Sequence, residues 1–173
     1  LGMDNTRFLH AVPDHEILAQ VYTQDSNGEL VLAPKRIDSE WNEGGSGLVS
    51  TAPDYMRFAL MIWNGGEYDD VRILPEQMIS DMTFPHVKKG VFVRREVKGL
   101  GWGLGIGAVV NEDSTLPSKL GDTFWGGYYG TTFFVSPSTG LVGVILSQNE
   151  MSQYSGGYQT PIYAIQAIAL SGS

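Results

Sequence analysis

The sequence contains no cysteine and little positive charge. It has 11 Lys and Arg residues and 19 Asp and Glu residues, which give a net charge of −8. Without cysteine, disulfides, thiolate chemistry and cysteine-based zinc sites are excluded, and the compartment stays undetermined. A nucleic-acid-binding protein usually carries a basic stripe, which this sequence lacks, so we expect no nucleic-acid partner.

Metal ligands and long apolar runs are also scarce. The three histidines are His10, His15 and His86, and the first two are five residues apart rather than four. This spacing does not suit a helical metal site, so none is expected. No apolar run approaches the roughly 20 residues that a membrane span needs. The sequence has no P-loop and no dinucleotide fingerprint, and we expect no cofactor.

A helix is predicted to begin after Thr51. This residue is an N-cap candidate, Pro53 suits the first turn, and Asp54 completes a pattern like a capping box. Asn64-Gly65-Gly66 is a typical helix stop. The apolar residues follow helical spacing: Tyr55, Phe58, Ala59 and Ile62.

Two further helices are predicted from proline positions. One covers Pro75–Met82, and the last begins with Thr160 as cap and Pro161 just inside. Ile162, Ile165, Ile168 and Ala169 would form its apolar side.

The other periodic segments indicate strands. A short strand at Leu18–Thr23 could pair with Leu30–Leu32 across the turn signal Asp25-Ser26-Asn27-Gly28. Thr131–Ser136 and Leu141–Gln148 are predicted to form a second pair. The segments together predict an α+β fold, with helices packed on an antiparallel sheet.

Residues 99–110 alternate strictly between glycine and bulkier side chains. Period two predicts one strand over this range, with one bulky face and one face of bare backbone. Strand glycines commonly mark the close approach of another element, which is the interpretation that we favour here.

Signals for a self-contained catalyst are few. No Ser-x-x-Lys is present, and Gly44-Gly45-Ser46-Gly47-Leu48 lacks the last glycine of a nucleophile elbow. Ser147-Gln148-Asn149 has the form Ser-x-Asn but is interpreted as a turn start. Lys119-Leu120-Gly121 has the form Lys-x-Gly, and Lys119 is interpreted as a solvated loop residue.

Five short stretches carry a family resemblance by their order. They are Gly44-Gly45-Ser46-Gly47-Leu48-Val49-Ser50-Thr51-Ala52, Asp54-Tyr55-x-Arg57-Phe58, Asn64-Gly65-Gly66, Gly99-Leu100-Gly101-Trp102-Gly103 and Trp125-Gly126-Gly127-x-x-Gly130-Thr131. In this order they resemble the C-terminal half of the serine β-lactamase and penicillin-binding-protein-like hydrolases, most closely the β-lactamase-fold (family VIII) carboxylesterases. Leu1-Gly2-Met3-x-x-Thr6 resembles the segment that follows the helical subdomain of this family.

The resemblance implies a β-lactamase/transpeptidase-like fold and a serine acyl-enzyme mechanism. Trp125-Gly126-Gly127 matches the esterase variant, Trp-x-Gly, of the third active-site motif. Trp125 would wall the acyl pocket, and Gly126 and Gly127 would let the acyl group lie against the strand. The backbone N–H of Tyr128 would donate to the oxyanion hole. Because tryptophan replaces the usual lysine, neutral esters are favoured over penicillins.

The resemblance also implies that residues 1–173 are the C-terminal part of one domain. The Ser-x-x-Lys and Tyr-x-Asn motifs would precede Leu1, and this chain alone would be inactive. Its expected partners are a small acyl substrate and the N-terminal half of the same fold. Without that half an unpaired strand edge would favour self-association, as a homo-oligomer or aggregate. The compartment could be the bacterial periplasm, the outside of the cell or the cytoplasm.

Other functions stay open. The chain could be a non-catalytic binding or structural fragment, or a pseudoenzyme of the same fold. Its parent could instead be a β-lactamase or a D-amino-acid peptidase. The aromatic residues Trp125, Tyr128 and Tyr129 could also bind a carbohydrate.

Overall fold

The structure is a computed structural model that describes residues 1–12, 17–33, 42–87, 99–110, 118–150, 167–169 and 171. The described residues form short strands, two complete α-helices, one 3-10 turn at Leu9–Ala11, and a helical segment at 167–169 and 171. The helices are α1 (Ala52–Trp63) and α2 (Glu76–Thr83). The strands are β1 (Arg7–Phe8), β2 (Tyr22–Gln24), β3 (Leu30–Leu32), β4 (Leu48–Val49), β5 (Glu67–Tyr68), β6 (Val71–Arg72), β7 (Leu100–Trp102), β8 (Gly107–Val109), β9 (Thr123–Gly126), β10 (Thr132–Ser136) and β11 (Leu141–Ile145).

Strands β7 to β11 form one antiparallel sheet in the order β11-β10-β9-β8-β7. Each strand therefore lies beside its sequence neighbour, which confirms the predicted α+β class. The pairs β1–β4, β2–β3 and β5–β6 are separate two-stranded sheets. In the described part of the chain, β11 and β7 are the two edges of the large sheet, and β9 lies at its centre.

Helix α1 begins as predicted. The hydroxyl of Thr51 accepts a hydrogen bond from the backbone N–H of Asp54 at 3.4 Å, and Pro53 lies in the first turn. The helix ends at Asn64, and the chain continues through Gly65 and Gly66, whose φ angles are 64° and 99°. Positive φ is easy for glycine, so the helix stop has the expected cause.

Two charged side chains of α1 hold the first residues of the chain. The carboxylate of Asp54, which is 4% exposed, accepts hydrogen bonds from the Asn5 N–H at 2.8 Å and the Thr6 hydroxyl at 3.1 Å. The Arg57 guanidinium donates to the carbonyl oxygens of Leu1 and Gly2. The stretch Asp54-Tyr55-x-Arg57-Phe58 thus binds the chain start on one side of the helix.

The other side of α1 packs on the sheet through aromatic rings. Tyr55 and Phe58 contact each other and Phe133 of β10, with ring centroids 5.4–5.7 Å apart. Ring edges that meet ring faces at these distances are attractive beyond their buried area. The surrounding core consists of Ala59, Met61, Ile62, Ile79, Ile106 and Val135.

The opposite face of the sheet carries a smaller core. Val109, Phe124 and Phe134 are between 2% and 4% exposed and come from three adjacent strands. A Cβ on Gly143 of β11 would overlap the ring of Phe134, which lies directly opposite it. The glycine therefore makes room for the aromatic ring.

The single strand predicted over 99–110 is wrong. The structure has a hairpin, in which β7 and β8 are joined by residues 103–106 and closed by a 2.8 Å bond from the Gly103 N–H to the Ile106 carbonyl. Gly105, with φ of 80°, allows the reversal. The four-residue loop leaves the alternation of glycine and bulky residues unbroken, so periodicity alone could not reveal the turn.

The hairpin also corrects the expectation of one bare face. Trp102 lies opposite Gly107 and Gly101 lies opposite Ala108, so each glycine shares a face with a larger side chain of the other strand. The expected close approach is confirmed. A Cβ on Gly101 would lie 2.7 Å from Val110 Cγ1, and one on Gly103 would overlap the carbonyl oxygen of Met82.

Other boundaries differ slightly from expectation. The strand expected at 18–23 covers Tyr22–Gln24, and it pairs with Leu30–Leu32 as predicted. The second helix is shifted by one residue from Pro75–Met82, because Pro75 is its N-cap. Strand β11 ends at Ile145 rather than Gln148. The expected start of the final helix, at Thr160 and Pro161, lies outside the described residues.

A buried carboxyl group precedes strand β9. Asp122 is fully buried and accepts a 2.8 Å hydrogen bond from the Lys119 N–H through Oδ2. Its Oδ1 and the buried Ser136 hydroxyl both lack a hydrogen bond of good geometry. Burial raises the pKa of Asp122, and the Ser136 hydroxyl and Lys119 only partly oppose this effect.

We expect Gly103→Ala to lower the free energy of unfolding by at least about 2 kcal/mol, because the added methyl group meets rigid backbone. Gly44→Ala is the matched control, since nothing lies within 4 Å of a Cβ there. It should change stability by less than about 0.5 kcal/mol. Urea unfolding of both variants measures the difference, and equal stabilities would contradict the close approach.

We expect the raised pKa of Asp122 to make the protein less stable as pH rises. As pH rises above the usual carboxyl pKa, the unfolded chain has lost this proton while the folded chain still holds it. The free energy of unfolding therefore falls with pH until Asp122 ionises in the folded protein as well. Asp122→Asn should therefore raise the melting temperature more at pH 7 than at pH 4, as measured by circular dichroism. Asp81→Asn, at an exposed position on α2, is the control, and a gain independent of pH would contradict the assignment.

Candidate active site

The candidate site lies where the central strand β9 ends. Trp125 pairs with Phe133 and Gly126 with Thr132 of β10, while the other edge of β9 pairs with β8. Pairing with β10 continues to the end of the strand, whereas pairing with β8 stops at Phe124. The residues that follow, 127–130, leave the sheet as a turn.

Trp125 lies on the α1 side of the sheet. Its ring meets Trp102 edge to face, with centroids 4.2 Å apart, and it packs partly against the main core. The Thr132 hydroxyl donates a 2.9 Å hydrogen bond to the Trp125 carbonyl. The tryptophan therefore has a packing role, and its role as the wall of an acyl pocket stays a prediction.

Gly126 and Gly127 lie close to the returning chain itself. A Cβ on Gly126 would lie 3.2 Å from the Thr131 carbonyl oxygen, and one on Gly127 would overlap the Thr131 hydroxyl. The sequence interpretation, that these glycines make room for an acyl group, stays a prediction. The structure adds a second reason that the sequence did not reveal.

The turn after β9 is closed by two backbone hydrogen bonds. The Gly127 N–H donates to the Thr131 carbonyl at 2.7 Å, and the Gly130 N–H donates to the Gly127 carbonyl at 3.1 Å. Tyr128 and Tyr129 are the two central residues, and neither has a positive φ. Gly130, the last residue of the turn, has a positive φ of 81°. The Tyr128 side chain is 46% exposed at this turn.

Sequence reasoning missed the segment that covers the turn. Residues 147–150 lie along it, and the turn start predicted at Ser147-Gln148-Asn149 is absent from this described segment. The Ser147 hydroxyl and the Asn149 N–H both donate to the Tyr129 carbonyl, at 2.9 and 3.0 Å. The form Ser-x-Asn alone does not predict these contacts with Tyr129, because they join positions about twenty residues apart in the chain.

The Tyr128 hydroxyl binds a charged residue of the same segment. It donates to Glu150 Oε1 at 3.3 Å. The other sequence candidate, Lys119, is exposed as expected and lies in the turn that precedes β9. Lys119 and Tyr128 therefore lie near opposite ends of β9, with Lys119 before its first residue and Tyr128 after its last.

A pocket of about 420 Å³ lies at a different place. It is lined by Asn64, Glu67, Tyr68, Asp69 and Asp70, around the β5–β6 hairpin, and includes no residue of the Trp125-Gly126-Gly127 motif. Among the described residues, no group of three or more His, Asp or Glu could hold a metal ion. Within the same ranges, no helix is long and apolar enough to cross a membrane.

Comparison with known proteins gives the chain its family. The model of the Beta-lactamase family matches residues 1–164. Protein Rv1367c of Mycobacterium tuberculosis (strain ATCC 25618 / H37Rv) is 33% identical over 162 residues, which cover 86% of this chain and 40% of that protein. Esterase EstB of Burkholderia gladioli is 26% identical over 143 residues, covering 79% of this chain and 34% of EstB.

A solved structure shows the same fold. EstCE1, described as a hydrolase with promiscuous acyltransferase activity, matches with a TM-score of 0.73 at 22% identity. The match covers 96% of this chain and 47% of EstCE1, so the chain spans less than half the length of these relatives. The β-lactamase/transpeptidase-like fold is thereby confirmed. The chain belongs to the Beta-lactamase family, as its ordered motifs predicted.

Proposed function

We propose that this chain supplies the third active-site motif and one oxyanion-hole donor of a serine hydrolase that acts on esters or related acyl compounds. The observation that carries the proposal is the position of Trp125-Gly126-Gly127. The motif ends β9, which pairs with β10 as far as Gly126 and with β8 as far as Phe124, directly before a tight turn. A paired strand is a rigid support for a donor that must meet a reacting atom.

The turn supports Tyr128 as that donor. The Gly127 N–H is committed to the Thr131 carbonyl, so the next backbone donor along the chain is Tyr128. In the proposed reaction a serine Oγ attacks the acyl carbonyl, and the carbonyl oxygen becomes negative. The Tyr128 N–H donates to this oxygen, the alcohol leaves, and water then releases the acid from the serine. One such donor is worth about 3 kcal/mol of the barrier.

The nucleophile and its base are proposed to come from outside these 173 residues. The sequence contains neither Ser-x-x-Lys nor Tyr-x-Asn. The segment that carries them would be the main partner of this chain, and the outer edge of β11 is a place where its strands could pair. This proposal makes residues 1–173 part of one domain, inactive alone.

Esters are favoured by two observations. Trp125 stands where a lysine of the third motif would attract the carboxylate of a β-lactam. EstB, which matches over 79% of this chain, is an esterase by name, and EstCE1 is described as a hydrolase with acyltransferase activity. The substrate proposed for this site is a small neutral ester.

The proposed function is tested by adding the nucleophile. This chain should not hydrolyse p-nitrophenyl hexanoate or take a fluorophosphonate label by itself. Joined to the segment with Ser-x-x-Lys and Tyr-x-Asn that precedes it in its gene, it should do both. An inert, unlabelled assembly, or the absence of such a segment, would contradict the proposal and favour the non-catalytic alternative. Faster turnover of a penicillin or a D-alanyl peptide than of the ester would favour the other two alternatives.

The role of the Tyr128 N–H is tested by a proline substitution, which removes the N–H together with the tyrosine side chain. Tyr128 is the second residue of its turn and its φ is not positive, a position where proline is well tolerated. Tyr128→Pro should lower kcat of the assembled enzyme by about 100-fold or more, with little change in melting temperature. Tyr128→Ala, which keeps the N–H but also lacks the tyrosine side chain, is the matched control and should lose far less. Equal rates for the two folded variants would show that another group binds the oxyanion.

A further inference from the structure

The hairpin of β2 and β3 presents an apolar face to solvent. Tyr22 lies opposite Leu32, and Gln24 lies opposite Leu30, so these four side chains share one face. Tyr22 is 40% exposed, and Leu30 and Leu32 are each 60% exposed. Single exposed apolar residues are common on protein surfaces, whereas several on one face are typical of an interaction surface.

The opposite face of the hairpin is turned toward the molecule. Thr23, which alternates with Tyr22 along β2, is buried on that face. The turn between the strands is closed by the Asp25 carboxylate, which accepts hydrogen bonds from the N–H groups of Asn27 and Glu29 at 2.8 and 2.9 Å. The hairpin is therefore anchored on one face and ordered at its tip, which gives the apolar face a fixed direction.

The same hairpin is hydrogen-bonded to the segment that covers the candidate site. The Tyr22 N–H donates to the Gln148 carbonyl, and the Glu150 N–H donates to the Tyr22 carbonyl, both at 2.8 Å. Between these two bonds, the Asn149 N–H donates to the Tyr129 carbonyl at 3.0 Å. Backbones joined in this way lie about 5 Å apart, so two such steps place β2 roughly 10 Å from the turn that follows β9.

We propose that this apolar face, formed by Tyr22, Leu30 and Leu32, is the docking surface for the segment that carries the catalytic serine. The inference rests on the proposed function, because it names the place where the other half of the same active site binds this chain. The matches cover 40% of Rv1367c and 47% of EstCE1, so more than half of each relative lies outside the matched region. A segment of that size is long enough to cover the face.

The proposed chemistry brings this segment close to the hairpin. The Tyr128 N–H lies about 3 Å from the oxyanion that it stabilises, and the serine Oγ approaches the same carbonyl group to about 3–3.5 Å. The serine oxygen therefore comes within roughly 6 Å of the Tyr128 nitrogen. Ser-x-x-Lys places both of its groups on one side of a helix, and a helix with its side chains is about 10 Å wide. Such a helix is wide enough to reach from the turn to the hairpin.

The test measures whether the face is covered in the assembled enzyme. Residues 1–173 contain no cysteine, so one introduced thiol can be followed by mass spectrometry of its peptide. Leu32→Cys should react with iodoacetamide at least about tenfold more slowly than Val71→Cys. Val71 is the matched control, because it is 56% exposed in a different two-stranded hairpin, β5–β6. The rates of both variants in urea correct for the intrinsic reactivity of each thiol.

A second measurement does not depend on labelling. Leu30→Ser should lower the melting temperature of the assembled enzyme by roughly 3 °C or more, because it removes apolar surface from the proposed contact. Val71→Ser is the control and should lower it by less than about 1 °C.

The outcomes separate this inference from the proposed function. Equal labelling rates in an active assembly would contradict the inference alone, as would equal melting temperatures of Leu30→Ser and Val71→Ser. Protection that is lost on dilution would assign the face to a second copy of the chain, and protection that requires an added ester would assign it to the substrate. Either result would overturn the proposal. An assembly that turns over no ester would contradict both this inference and the proposed function.

Discussion

The packing of α1 on the large sheet is the interaction on which the rest of the structure depends. Tyr55 and Phe58 meet Phe133 of β10, and Phe133 in turn lies opposite Trp125 in β9. The ring contacts therefore connect the helix to the strand that carries the candidate motif. On its other side the same helix binds residues 1–6 through Asp54 and Arg57. One helix thus links the chain start to the site strand.

Close approach of backbone is the second constraint. Gly103 lies against the Met82 carbonyl, Gly107 against Phe124, and Gly127 against Thr131. A side chain at Gly103 or Gly107 would meet backbone of the neighbouring element, and one at Gly127 would displace the Thr131 side chain. The glycines near the site thus have a structural cause that is independent of any substrate, and a catalytic role for Tyr128 would use the rigidity that they allow.

Much of this fold could be predicted from the sequence where the signals are local. The Thr51 cap, the Asn64-Gly65-Gly66 stop and the β10–β11 pair are confirmed, because each depends on residues close together in the chain. The 99–110 hairpin could not be predicted, because its loop preserves the alternation of glycine and bulky residues. The contact of Ser147 and Glu150 with the Tyr128 turn was also missed, since only tertiary packing brings these positions together.

The electrostatic and hydrogen-bonding features of the site converge on one turn. Gly127 closes it, Tyr128 is proposed to donate from it, and Glu150 is bound to it through the Tyr128 hydroxyl. In this account, the turn places the proposed oxyanion donor directly after the end of β9. The turn therefore matters more to the proposed function than the pocket at the β5–β6 hairpin, which includes no residue of the motif.

The most direct measurement is a crystal structure of the assembled enzyme with a fluorophosphonate bound to its serine, since the phosphoryl oxygen takes the place of the oxyanion. The account predicts this oxygen at about 2.7–3.1 Å from the Tyr128 backbone nitrogen. An adduct whose oxygen points away from the 127–130 turn, toward other donors, would contradict the central claim.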